Sequence, residues 1–153
     1  MFYQLLALIG LVMIGGFLEF WMRRFEMQGV GIWLSFGLIL TYAFGPLWGF
    51  LFAISILIIS FVLFPYEIQG LFIMGITLAG TLFAATFFDI TAKNFLLNSM
   101  MIVIGYNIVS NIIWMFMGSN WFRLVKFAML SILFNYLIFS KLGWAILMWV
   151  KGG

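Results

Sequence analysis

The sequence predicts an all-α polytopic membrane protein, a single transmembrane domain of six helices. Three observations support this fold class. Of the 153 residues, 67% are hydrophobic and only 7% are charged, so the chain cannot cover itself with a polar surface and its solvent must be lipid. The apolar residues form six long stretches with short polar junctions between them. These stretches do not alternate with polar residues as the strands of a closed barrel would, so helices are the predicted spanning elements.

The lengths of the six stretches are close to what a bilayer requires. A helix that crosses about 30 Å of hydrocarbon needs roughly 20 apolar residues, or about 17 at the short end. The predicted helices cover residues 5–20, 29–44, 47–64, 71–88, 95–117 and 122–141. The first stretch has no basic residue before it and no small-residue cleavage site after it, so we expect it to remain as helix one rather than to be removed as a signal peptide.

A glycine and a proline separate the second helix from the third. Proline loses no hydrogen bond in the first turn of a helix, whereas the residue before a proline is pushed away from helical geometry. Gly45 and Pro46 therefore predict that helix two ends and helix three begins in a tight hairpin.

The fourth helix carries small residues at a spacing of four. Gly75 and Ala79 form one such pair, and Gly80 and Ala84 form the other. Small pairs of this kind allow two helices to approach closely in lipid. They indicate either packing inside the monomer or a docking face for a partner protein.

The fifth helix carries the most distinctive polar pattern. Asn107, Ser110, Asn111 and Trp114 fall at i, i+3, i+4 and i+7, so they share one helix face. Polar side chains at membrane depth are costly unless they have partners, and they tend to face the bundle interior or a wet cavity. One interpretation is a pocket for a small neutral polar solute, because amides both donate and accept hydrogen bonds. The other is hydrogen bonding between helices, for example to Ser131 of helix six.

The sixth stretch is long and contains a lysine. From Lys126 to Lys141 the helix would rise only about 22 Å, so we expect Lys141 to extend to the far membrane interface. Residues 142–153 are then predicted to form an interfacial tail.

The basic residues leave the orientation of the six crossings open. The positive-inside rule compares the lysines and arginines on the two sides of the membrane. Three lie on the side of the amino terminus and four on the side of loops one, three and five: Lys93, Lys141 and Lys151 against Arg23, Arg24, Arg123 and Lys126.

The amino-acid composition also excludes several kinds of functional site. The chain has no cysteine and no histidine, which excludes disulfides, thiolate catalysis and the usual zinc sites. Its four carboxylates are dispersed along the sequence, so we expect no catalytic site, no metal and no cofactor. The net charge of +3 forms no basic stripe, and we expect no nucleic-acid partner.

Several motifs together resemble two known families. The run Phe25-Glu26-Met27-Gln28-Gly29-Val30-Gly31-Ile32-Trp33 leads into helix two, and Gly45-Pro46-Leu47-Trp48-Gly49-Phe50 opens helix three. Helix four is rich in small residues, and the last helix carries Asn135 followed by Lys141. This layout resembles the substrate-binding S-components of energy-coupling-factor (ECF) transporters, and it is equally similar to the rod-shape protein MreD.

The resemblance to S-components implies a binding site on the side of loops one, three and five. In that family these loops and the outer halves of helices four to six enclose a vitamin-sized solute. The positions of this chain that would line the site are Glu26, Gln28, Glu67, Asn107, Asn111, Trp114 and Arg123. The face that would dock a coupling protein or scaffold partner is Gly75, Ala79, Gly80 and Ala84.

Three functional hypotheses follow for a multi-pass protein of the plasma membrane whose partners are lipid and other membrane subunits. The first is a solute-binding subunit of a small-molecule, vitamin-like transporter. The second is a non-catalytic scaffold of the MreD kind or an accessory subunit of a larger membrane complex. The third is a small membrane enzyme that acts on lipid through Glu67 or Asp89.

Overall fold

The computed structural model describes residues 2–25, 27, 29–63 and 68–152, and within them the chain is all α-helical, as predicted. The first five helices are α1 (Phe2–Arg24), α2 (Ile32–Phe44), α3 (Pro46–Leu63), α4 (Ile68–Ala85) and α5 (Phe95–Phe116). The sixth is continuous but composite: α6 (Trp121–Ile138) passes through a π-helical turn (Phe139–Gly143) into α7 (Trp144–Lys151).

Helix length and surface support membrane association. Among the described residues, three helical stretches are long and apolar enough to cross a bilayer, Pro46–Leu63, Phe95–Phe116 and Trp121–Lys151, and Ile32–Phe44 and Gly70–Ala85 are shorter apolar helices. Large apolar side chains such as Phe116 and Phe87 point outwards, 84% and 76% exposed. An apolar surface of this extent is unfavourable in water but natural in lipid.

The α2–α3 hairpin forms where glycine and proline predicted it. Gly45 has a φ of +97°, a conformation that residues with a β-carbon rarely adopt, and Pro46 is the first residue of α3. The two helices then run in very close contact, because a β-carbon at Gly49 would collide with the backbone oxygen of Gly37 and the hydroxyl of Thr41. Small residues therefore do bring two helices together in this chain, but at α2 and α3.

The core is centred on α2, which is buried over most of its length, including Trp33, Leu38 and Leu40. It packs against α3, α4 and the composite last helix. Helix α1 lies mainly against α3, with Gly15 facing Ile56. The first helix thus joins the bundle through its small-residue face.

Two helix boundaries differ from the sequence prediction in ways that affect the site. Helix α1 continues to Arg24 rather than ending at residue 20, so the charged residues near its end are helical. Helix α2 begins at Ile32 rather than at residue 29, because Gly29 has a φ of +101° and Gly31 is extended. Residues 29–31 are therefore a connecting segment, and Gly29 lies directly on the α6 backbone at Phe127.

The last helix also extends beyond its predicted end at residue 141. The π-helical turn contains Gly143, which packs closely against the ring of Phe95. Beyond it, Leu147 and Val150 of α7 are buried, and α7 packs on α2. The placement of residues 142–153 along the membrane interface stays a prediction.

Candidate functional site

The centre of the candidate site is an ion pair inside the helix bundle. Glu19 and Arg23 lie one turn apart on α1, with 3.6 Å between Arg23 Nε and Glu19 Oε1. Only 2% of Glu19 and 6% of Arg23 is exposed. Charged groups inside a membrane bundle are costly, and they usually face a cavity or a functional pathway. The i, i+4 spacing of the two residues is visible in the sequence, whereas their burial comes from the tertiary fold.

Arg23 connects α1 to two other helices. Its guanidinium carbon lies 3.9 Å from the centre of the Phe61 ring on α3, in cation–π geometry. Its Nη2 donates to the sulfur of Met74 on α4 at 3.6 Å. The cation is therefore held in place by an aromatic face, a thioether and a carboxylate.

Glu19 is enclosed by the segment that leads into α2. A β-carbon at Gly31 would collide with Glu19 Oε2 and with the indole of Trp33. The carboxylate consequently occupies space that exists only because residue 31 is glycine, and Trp33 lies beside it. The sequence did carry a signal for this burial, because Gly15, Glu19 and Arg23 share one stripe of α1 at intervals of four.

A small cavity adjoins the ion pair and is lined by three of the predicted binding residues. Asn111 and Trp114 of α5 and Arg123 of α6 line it together with Glu19 and Arg23. The remaining wall comes from Phe61, Gly70, Met74, Ser119, Leu124 and Phe127. Its volume open to water centres is about 40 Å³, enough for about three water molecules. Groups distant in sequence thus converge at one end of the bundle.

One buried oxygen atom on a cavity-lining side chain, Asn111 Oδ1, accepts no hydrogen bond from the described part of the chain. The Glu19 carboxylate, by contrast, lies beside the Trp33 indole, which donates to it. Asn111 uses its other amide atom, Nδ2, to donate to the backbone oxygen of Leu124 at 3.2 Å. An unsatisfied buried acceptor is expensive, so this cavity favours a guest that donates hydrogen bonds.

Trp114 and Arg123 form the outer part of the cavity. The Trp114 ring packs on Gly70 of α4, where a β-carbon would approach it to 3.1 Å. Arg123 stands in the first turn of α6 and is exposed. That turn is fixed by Asn120, whose side chain accepts from the backbone nitrogen of Phe122 at 2.8 Å. Arg123 thus lines the cavity while part of its side chain is in contact with the surroundings of the bundle.

The structure places a further predicted binding residue, Asn107, away from the cavity. Asn107 donates to the backbone oxygen of Val103 at 2.8 Å and to the hydroxyl of Ser131 at 3.1 Å. This is the interhelical hydrogen bonding that the sequence left open as the alternative to a pocket, and Asn107 does not line the cavity. Glu26, Gln28 and Glu67 lie outside the described residues.

The predicted docking residues of α4 divide between the interior and the surface. Gly75 faces Ile54 of α3, with an expected β-carbon contact of 3.5 Å, and so packs inside the monomer. Ala79 and Gly80 are exposed, and no atom lies within 4 Å of a β-carbon built at Gly80. Gly80 and Ala84 line an open groove between α4 and α5.

The described residues contain no group of three or more acidic, cysteine or histidine side chains that could hold a metal ion. No protein-family model matches the chain, and no curated protein or solved structure matches it either.

Proposed function

We propose that this chain is a multi-pass plasma-membrane protein that acts as the solute-binding subunit of a small-molecule transporter. The observation that carries the proposal is the cavity in which Glu19, Arg23, Asn111 and Arg123 meet among apolar helices. Among the described residues, Glu19 and Arg23 are the only charged side chains that are buried, and a buried ionisable pair inside a membrane bundle is characteristic of a solute or ion pathway.

The shape of the cavity supports binding rather than simple packing. It combines apolar walls with a few convergent polar groups, which is the usual make-up of small-molecule sites. Its volume of about 40 Å³ is well below the roughly 300–1,000 Å³ typical of pockets for drug-sized ligands. The geometry therefore favours a solute considerably smaller than the vitamin-sized one that the resemblance to S-components implies.

Asn111 provides the sharpest test of solute binding. In the Asn111→Ala variant we expect solute affinity to fall about tenfold, which corresponds to one lost hydrogen bond of about 1.4 kcal/mol. The measurement is small-molecule mass spectrometry on the purified protein, followed by binding titration of the co-purified solute.

Asn98→Ala is the matched control for this test. Asn98 lies on the same helix and donates to the backbone oxygen of Asp89 at the opposite end of α5. We expect its affinity to equal that of the unmodified chain. An Asn111→Ala protein that binds solute as tightly as the Asn98→Ala protein would contradict the proposal.

A second candidate, a non-catalytic membrane scaffold or accessory subunit, is supported by the groove between α4 and α5. Gly80 and Ala84 on one side and Gly105 on the other leave space at backbone level, and no atom lies within 4 Å of a β-carbon at Gly80 or Gly105. Such a surface suits a close approach by a partner helix.

The scaffold function predicts that filling this groove releases a partner. Gly80→Ile should reduce the amount of membrane protein that co-purifies with the chain by at least severalfold, because the added side chain separates the backbones. Phe83→Ile, an exposed position on the same helix, is the control and should change nothing. Equal recovery of partners from both variants would exclude docking at this groove.

A lipid-modifying enzyme receives less support from the described residues. Asp89 follows the carboxyl end of α4, whereas the cavity adjoins Gly70 and Met74 in the first half of that helix. Glu19 and Asp89 therefore do not gather around one groove, as paired acid and base catalysis would require. Glu67, the other carboxylate of this hypothesis, lies outside the described residues.

A further inference from the structure

The amide of Asn111 presents an oxygen atom to the cavity beside the ion pair. Its Oδ1 is buried and accepts no hydrogen bond from the described residues. Its Nδ2 donates to the backbone oxygen of Leu124 at 3.2 Å, and this bond fixes the direction in which the amide faces. Because a buried acceptor without a donor is costly, the cavity favours a guest that carries an N–H or O–H group.

The charges around the cavity disfavour an ionic guest of either sign. Glu19 is paired with Arg23 and also accepts from the Trp33 indole. Arg23 and Arg123 each take part in a further interaction within the chain, so their charges are already engaged. A cation would lie near these two guanidinium groups, and an anion would face the Glu19 carboxylate and the Asn111 oxygen. An ion also loses more hydration energy than a neutral polar molecule does when it enters an apolar bundle.

The size and walls of the cavity narrow the class further. Room for about three water molecules corresponds to a guest of about four non-hydrogen atoms. Much of the wall is apolar and aromatic, with Phe61, Trp114 and Phe127, which suits a methyl group or another small apolar end. Ser119 also lines the cavity, and its hydroxyl is able to donate to a carbonyl oxygen.

We infer that the solute is a short, neutral primary amide whose N–H group donates to Asn111 Oδ1 and whose small apolar end lies against the aromatic wall. An amide is neutral, supplies the missing donor and is small enough for the cavity. This inference rests on the proposed solute-binding function.

Acetamide is the probe that tests the inference, because three molecules of nearly the same shape each change one of its properties. Acetone is neutral but has no N–H donor, acetate is an anion, and acetamidinium is a cation that keeps the donors. We expect acetamide to bind the purified full-length chain in nanodiscs, and each of the other three to bind about tenfold more weakly or worse. The measurement is saturation-transfer NMR on the methyl signal, with empty nanodiscs as background.

Each analogue addresses a different part of the inference. If acetone bound as tightly as acetamide, the hydrogen bond to Asn111 would not select the solute. If acetate or acetamidinium bound as tightly, the solute would not be neutral. Either result would overturn the inference, and neither depends on a variant that has to fold.

A substitution at Asn111 locates the bond. In Asn111→Leu we expect acetamide to bind no more tightly than acetone, because the acceptor for the N–H group is gone. This ratio reports on the donor alone, since a general loosening of the cavity would weaken both molecules. Asn98→Leu, which changes an asparagine at the opposite end of α5, is the control and should keep the preference for acetamide. If Asn111→Leu does not fold, Asn111→Ala replaces it, with the same expected ratio.

The outcomes separate this inference from the function on which it rests. If a co-purified solute binds in an Asn111-dependent manner but is ionic or has no N–H donor, the inference fails and the solute-binding function stands. If neither acetamide, the three analogues nor any co-purified molecule binds in an Asn111-dependent manner, both fail. A preference for acetamide that persists in the Asn111 variant would also overturn the assigned contact.

Discussion

At the scale of single residues, the buried Glu19–Arg23 pair determines the character of the site. A buried ion pair contributes little net stability compared with an apolar pair of similar shape, but removal of one partner leaves an uncompensated charge. Each charge of this pair therefore compensates the other inside the helix bundle.

The pair leads to a prediction for stability. Arg23→Met should lower the free energy of unfolding by about 3–5 kcal/mol, because it leaves the Glu19 carboxylate buried alone. The double variant Glu19→Leu with Arg23→Met should recover most of that loss. The measurement is denaturant-induced unfolding of the purified protein in bicelles.

Arg24 is the matched control, because it is the next residue on α1 and is exposed, with its guanidinium 5.7 Å from the Trp21 ring centre. Arg24→Met should change stability by well under half the effect of Arg23→Met. If the two single variants were equally stable, the Arg23 guanidinium would not be functioning as a buried charge.

The sequence allows the pairing of these residues to be anticipated from their spacing, but it does not show their burial. The spacing of four between Glu19 and Arg23 is local information, whereas their environment comes from Gly31, Phe61 and Met74 on three other parts of the chain. A charged residue near the end of an apolar stretch is expected at the membrane interface unless the helix continues beyond it. In this chain α1 does continue, as far as Arg24.

At the scale of helices, a chain of hydrogen bonds joins α2, α5 and α6. The hydroxyl of Ser35 donates to Asn135 Oδ1 at 2.6 Å, and Asn135 Nδ2 donates to the backbone oxygen of Ser131 at 2.7 Å. The hydroxyl of Ser131 in turn accepts from Asn107. These side chains are all buried, so the network fixes how the three helices face each other.

Asn135 is the central residue of this network, and its loss should be structural rather than functional. Asn135→Leu should reduce the free energy of unfolding by about 1–3 kcal/mol, because Ser35 would be left without its acceptor. Solute affinity should change less than twofold, since Asn135 does not line the cavity. The measurements are unfolding in bicelles and solute titration on the same preparation.

The neighbouring Tyr136, which is exposed, gives the control variant Tyr136→Leu, with no expected change in either quantity. A large loss of solute affinity in Asn135→Leu without a loss of stability would show that the network belongs to the binding site.

The same network explains why the sequence could not separate the two interpretations of the α5 stripe. Asn107 and Asn111 are one turn apart and equivalent by spacing. Asn107 donates to the hydroxyl of Ser131, whereas Asn111 donates to a backbone oxygen of α6 and lines the cavity. The difference depends on how α6 lies along α5, which no local pattern specifies. The α2–α3 hairpin was predictable because Gly45 and Pro46 determine it locally.

At the scale of the whole molecule, the fold class followed from composition and the length of the apolar stretches, since both report directly on the solvent. The assembly of the site could not be predicted in this way, because the site combines residues of α1, α3, α4, α5 and α6 at one end of the bundle. Contacts between segments so far apart in sequence depend on tertiary packing.

Six crossings predict which ends of the helices share a side of the membrane. Cysteine introduced at Met27 or Ser119 should react with an impermeant thiol reagent from one side, and cysteine at Thr91 should react from the other. The chain has no cysteine of its own, so the unmodified protein is the blank. Labelling of Ser119→Cys and Thr91→Cys from the same side would contradict the six-crossing arrangement.

The π-helical turn between α6 and α7 determines which way the side chains of α7 face. Each residue advances a helix by about 100°, and the wider turn at Phe139–Gly143 accommodates one residue more than a regular turn does. Without that residue the side chains of Leu147 and Val150 would swing away from α2 and point towards lipid. The way this terminus closes the bundle is therefore set by one inserted position and not by the hydrophobicity of the segment that follows it.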